Sequence, residues 1–174
     1  MSELMLVGFH LTHRMLVPGD IIEPGNWGSV ILATGASHDW YEREQLMEAI
    51  RVAHYPEKPS RLQTAYFFPH LEHALHYWVN FSQGDRVYCV QVADDLAPQH
   101  HAFMTCLPPI SDLTDEQVAH HYWRTDLKVT RGLFQTATEE ILTTSPLVVT
   151  QEFLLHADMF EDPSVISVDL SART

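Results

Sequence analysis

Three separated points of this chain carry residues of types that can share one site: His10, Tyr66 and one of the adjacent pair Glu139 and Glu140. A second phenol ring, Tyr77, stands downstream of Tyr66. Imidazole, phenol and carboxylate are the groups that fix hydroxyls, stack on a flat ligand and stabilise developing positive charge. A second cluster is His70, His73 and His76, part of a total of 12 histidines. Steps of three on a helix turn each imidazole by about 60° from the last, which fans them over one broad face. Zinc helices use a spacing of four, and neither cysteines nor carboxylates complete this set, so these histidines read as polar cover of a helix. The chain holds no Gly-x-Ser-x-Gly elbow for a serine hydrolase.

The elements that would position these residues follow from period and punctuation. Leu62 to Phe68 is aromatic-rich and bounded by Pro59 and Pro69, so it reads as a short buried strand. Beyond Pro69 the apolar residues Leu71, Ala74, Leu75, Trp78 and Val79 take up a helical period. This strand-to-helix junction sets Tyr66 and Tyr77 where two rings can face one cleft. Arg86 to Val92 reads as the next strand, closing a strand-helix-strand unit. Upstream, Leu4 to Thr12 is nearly continuous in apolar residues and reads as a central strand with His10 near its end. Two Pro-Gly turns flank Ile21-Ile22, the second running through Gly28. Ser37 is a candidate N-cap for a helix reaching Tyr55. Residues 93–111 carry three prolines without a period and read as irregular; Thr114 to Gln117 has capping-box form and starts a helix. Leu127 to Val129, Glu140 to Thr144, Leu147 to Phe153 and Val165 to Val168 read as further strands.

Composition bounds the function. A chain of 174 residues with 45% hydrophobic and 19% charged residues suits one globular domain over 1-174, with a core of ordinary size. The 10 basic residues against 23 acidic ones give a formal charge of -13, which repels phosphate backbones and anionic lipid. No bulk nucleic-acid binding is expected. With no run of about 18 apolar residues and an acid at position 3, neither a membrane span nor a secretory leader is expected, and a cytoplasmic location follows. Cys89 and Cys106 have no metal-ligand spacing and read as free thiols.

Phe9-His-Leu-Thr12, followed by Pro18-Gly-Asp20, resembles the opening of rifampin ADP-ribosyltransferases. Tyr66 and Tyr77 resemble the paired tyrosines of diphtheria-toxin-like ADP-ribosyltransferases, which sandwich nicotinamide. Thr138-Glu-Glu-Ile-Leu142 resembles the strand that carries the catalytic glutamate in arginine-specific members, with Glu140 in the catalytic place. The resemblance implies an α+β ADP-ribosyltransferase-like fold, with a split, mostly antiparallel sheet and flanking helices. It implies NAD as substrate, transfer of ADP-ribose to an unidentified protein or small-molecule acceptor, and release of nicotinamide. In that scheme His10 orients the ribose, Tyr66 and Tyr77 stack on nicotinamide, and Glu140 stabilises the oxocarbenium-like ribose. Thr12 belongs to the same NAD-binding opening, and Arg14 or Arg61 would meet the pyrophosphate. Glu139, or Asp94 and Asp95 after the Arg86 to Val92 strand, are rivals for the acidic role. Thr138, standing where arginine-specific members have a first glutamate, argues against an arginine acceptor. A different class of function is a non-catalytic binding or inhibitor protein of the same fold that docks on a basic partner through its acidic surface.

Overall fold

The computed structural model describes residues 7–130 and 137–156. Seven strands and four helices are present among them: β1 (Val7–Thr12), β2 (Ile21–Ile22), α1 (Asn26–Thr34), α2 (Tyr41–His54), β3 (Ala65–Phe67), α3 (Leu71–Phe81), β4 (Arg86–Val92), β5 (Gln99–Phe103), α4 (Asp115–Arg124), β6 (Glu139–Thr143) and β7 (Leu147–Phe153). The strands form two sheets, ordered β1-β4-β7-β2 and β3-β6-β5, and every named pair is antiparallel. The fold is therefore α+β with antiparallel sheets. None of the described helices is long and apolar enough to cross a membrane.

The two sheets meet at one point. Phe9 and Phe68 exchange both backbone hydrogen bonds, each 2.8 Å, and beyond this bridge β1 and β3 part company. Gly8 permits the approach, because a Cβ there would lie 2.4 Å from the Phe67 ring and 2.6 Å from the Phe68 carbonyl. β1 is thus an edge strand with one lateral contact rather than the central strand its apolar run suggested. Its burial comes from α3 and the neighbouring sheet, not from strands on both sides. For the same reason β3, α3 and β4 make no single-sheet unit: β3 and β4 belong to different sheets.

Alternation along β3 and β6 divides the core into two layers, because successive side chains point to opposite faces. Phe67 and Ile141 join Tyr88, Val90, Leu147 and Val149 of the four-stranded sheet. Leu142 and the Tyr66 ring face the other way, into a cluster with Met47 and Ile50 of α2 and Tyr122 and Trp123 of α4. Each such large side chain contributes about 1.5–3 kcal/mol when fully buried. Trp123 also donates its indole N–H to the Met47 carbonyl at 3.0 Å, tying α4 to α2.

Several local expectations are corrected. The second Pro-Gly turn ends at Gly25, whose φ of 89° stops the turn and launches α1 at Asn26. Its Trp-Gly-Ser-Val-Ile-Leu sequence hides the helical period, since only Gly28 and Ile31 are buried. A Cβ at residue 28 would lie 1.9 Å from the Leu62 carbonyl oxygen, so glycine is what lets α1 lie on the Arg61–Gln63 turn. Ser37 does not cap α2; it closes a 3-10 turn by donating to the Thr34 carbonyl, and α2 begins four residues later. Residues 99–103, read as irregular, form β5, because a buried His100 takes a core position and masks the alternation. The 127–129 segment runs without strand pairing, its Leu127 carbonyl held by the Cys106 thiol. The capping box at Thr114 forms as read, both bonds present. The strand read at 165–168 lies outside the described residues.

Candidate functional site

His10 reaches across the sheet junction from β1. Its Nδ1 lies 2.8 Å from the Tyr66 carbonyl, and since a carbonyl only accepts, Nδ1 carries the proton. Burial pushes the imidazole pKa down, against the opposing pull of this hydrogen bond and of Asp85. The neutral ring therefore keeps Nε2 as an acceptor, which can take a hydrogen bond from a sugar hydroxyl. Thr12 and Arg14 follow on the same strand end, where Thr12 Oγ1 accepts from the Arg14 amide at 3.2 Å. Arg14 is exposed, and its charge is one of the influences that lower His10.

Tyr66 pairs with Leu142, and Glu140 lies two residues further along β6 on the same face of the sheet. The Tyr66 hydroxyl donates to the Arg61 carbonyl, and burial raises its pKa despite the adjacent guanidinium. Tyr77 approaches from α3, its ring 5.2 Å from Phe68 and 5.4 Å from Phe81. Burial and then the negative charge of Glu140 raise the Tyr77 pKa, so the phenol stays protonated. His10 is thus tied to the backbone of Tyr66, Glu140 shares the face of the Tyr66 ring, and the charge of Glu140 reaches Tyr77 on α3. The Tyr66 ring sits 5.2 Å from the Arg61 guanidinium, so the ring pairing seen for Tyr77 is with Phe68 and Phe81.

Arg61 occupies a different place from the one read for it. It is 4% exposed and spends four of its five N–H donors inside the protein. Nε lies 2.9 Å from Glu44 Oε2 and Nη2 3.3 Å from Glu44 Oε1. Nη1 lies 2.7 Å from Glu140 Oε1 and 2.5 Å from the Tyr122 hydroxyl. Tyr122 in turn donates to Glu140 Oε1 at 2.7 Å. A pyrophosphate would have to displace two carboxylates to reach this guanidinium, whereas Arg14, whose charge acts on His10, is exposed. The network continues to Arg43, 2.9 Å from Glu44 Oε1, and Arg43 with Trp40, Glu42 and Asp115 lines a cavity of about 330 Å³ at the start of α2. That cavity is separate from the His10 junction.

Glu139 points to the opposite face from Glu140, with His101 Nδ1 3.1 Å and His70 Nε2 3.8 Å from its carboxylate. Its backbone N–H donates to His73 Nδ1 at 3.1 Å. Asp94 and Asp95 follow the end of β4 that pairs with Val7, six or more residues beyond the level of His10, which at about 3.3 Å per residue is on the order of 20 Å away. The histidines of α3 are less polar cover than the spacing suggested: His73 is 9% and His76 1% exposed. Sequence reading missed Glu44 and Tyr122 altogether. A glutamate among Glu42, Arg43 and Glu48 reads as solvated, and nothing local marks Tyr122 as facing a carboxylate on a distant strand.

A family model described as a protein of unknown function (DUF2441) matches residues 26–152, from α1 to β7. The match includes Tyr66, Tyr77 and Glu140 and begins after His10. No curated protein matches the chain.

Proposed function

The chain belongs to the DUF2441 family, and we propose that it binds NAD at the β1–β3 junction and transfers ADP-ribose to a protein or small-molecule acceptor. One observation carries this reading. His10 is hydrogen-bonded to the backbone carbonyl of Tyr66, and Glu140 lies on the Tyr66 face of the neighbouring strand, so residues from three distant segments are tied to the same stretch of β3. In the reaction the C1′–N1 bond of the nicotinamide riboside breaks, and nicotinamide leaves with the electron pair. The acceptor nucleophile then bonds C1′ and loses its proton. Glu140 stabilises the charge that builds on the ribose, an interaction strengthened by its nearly dry surroundings. His10 Nε2 accepts from a ribose hydroxyl, Tyr77 stacks against nicotinamide and Arg14 meets the pyrophosphate.

The test is nicotinamide release from NAD, and labelling of a cell lysate by tagged NAD, with wild type, Glu140→Gln and Tyr77→Ala. Release by wild type that disappears in both variants, while their melting temperatures stay near wild type, supports the transferase. A wild type that neither releases nicotinamide nor gains melting temperature with NAD sinks it. The favoured reading would then be the docking module of net charge -13, whose partner binding falls as salt rises.

A further inference from the structure

We infer that Arg61 and Tyr122 are positioning residues for Glu140, a role that rests on the transferase reading above. Both hydrogen bonds to this carboxylate end on Oε1, from Arg61 Nη1 and from the Tyr122 hydroxyl, each 2.7 Å. Among the described residues Oε2 accepts none. A carboxylate gripped at one oxygen has its plane and its second oxygen fixed in direction, and that second oxygen is the one left for a ribose hydroxyl.

The grip is itself held on every side. Glu44, fully buried, binds Arg61 Nε and Nη2. The rings of Tyr66 and Tyr122 lie 5.2 Å and 5.1 Å from the guanidinium carbon. The Arg61 carbonyl accepts the Tyr66 hydroxyl, so the residue that fixes His10 through its backbone and the carboxylate are fastened to one arginine. Burying Glu44, Arg61 and Glu140 together is a poor source of net stability, because desolvation offsets most of the attraction and an apolar cluster of the same volume does as well. What such a network supplies is fixed geometry. Misplacing a reacting group by about 1 Å can lower a rate on the order of a hundredfold. The linkage joins a residue on α4 and one in the Arg61–Gln63 turn to a carboxylate on β6.

Tyr122→Phe tests this, since it keeps the ring and deletes the hydroxyl that holds Oε1. Nicotinamide release and thermal unfolding are measured on wild type, Tyr122→Phe, Arg61→Lys and Tyr55→Phe. Tyr55 is the control, a phenol in the same apolar cluster whose hydroxyl bonds His120 instead. The expected result is a kcat lowered about tenfold or more in Tyr122→Phe with KM for NAD within about twofold, a larger loss in Arg61→Lys, and no change in Tyr55→Phe. A Tyr122→Phe protein with wild-type kcat, whatever its melting temperature, assigns the hydroxyl to structure alone and overturns the inference. Absence of release by wild type overturns it too, and is told apart because it does not depend on any variant.

Discussion

Replacing Arg61 by methionine removes the cation that stands between Glu44 and Glu140, which are 0% and 6% exposed. Deleting one partner of a buried ion pair costs roughly 3–5 kcal/mol, since the other charge is stranded away from water. Two partial compensations remain here. Arg43 still lies 2.9 Å from Glu44, and Tyr122 still donates to Glu140. The lower end, about 3 kcal/mol, is therefore expected, which for a domain of this size lowers Tm by about 6–12 °C. The sign of the pH dependence separates this mechanism from simple loss of packing. In the wild type burial raises the Glu44 pKa, but the attraction and hydrogen bonds of Arg61 and Arg43 outweigh it and hold the carboxyl below its ordinary 4.5. A depressed carboxylate stabilises the fold above that range and loses the contribution as pH falls through the folded-state value. Without Arg61 the burial effect dominates, the folded-state value rises above the unfolded one, and acidification relieves the variant. The wild-type and Arg61→Met stabilities, measured by urea unfolding, should be furthest apart at pH 7 and converge toward pH 4. A loss under about 1 kcal/mol at pH 7, or a gap that stays constant between the two pH values, would refute the reasoning.

Two further outcomes are expected from buried positions. Burial pushes the His100 pKa from 6.5 down to about 4, so the fold is stabilised above pH 6.5 and loses about 3 kcal/mol as pH falls to 4. His100→Gln should flatten the stability curve over that interval, and parallel curves would contradict the assignment. Gly28→Ala sets a Cβ 1.9 Å from the Leu62 oxygen, and relief requires α1 to move off the Arg61–Gln63 turn. A loss toward the upper end of the roughly 1–3 kcal/mol typical of overpacking is expected, read by urea unfolding; a neutral result would mean that the helix shifts freely.

Legibility in the sequence followed how local the physics was. α3 and the capped α4 are readable because a helical period and the Thr114–Gln117 box are written within a few residues. β4 and β7 are readable because both are apolar runs flanked by turn residues. α1 is not, because its buried seam is only Gly28 and Ile31 and its launching residue, Gly25, looks like the end of a turn. β5 is not, because a histidine in the core position counts as polar in any pattern although its ring is stacked on Trp123. Of the candidate residues, Arg61 was assigned to a pyrophosphate, but its guanidinium is held by Glu44 and Glu140, partners that no local spacing announces.

From its sequence alone the chain determines a strand-to-helix step carrying two tyrosines, a capped helix at Thr114 and a net charge of -13, since each depends on near neighbours or on totals. Only the tertiary structure decides that β1 and β3 meet at Phe9 and Phe68, that His10 is fixed by the Tyr66 carbonyl, and that Glu44, Arg61, Tyr122 and Glu140 form one network. The reason is the range of the interactions: hydrogen bonds and ion pairs act over a few ångströms between residues up to 79 positions apart, and no local spacing encodes which carboxylate a buried guanidinium will find.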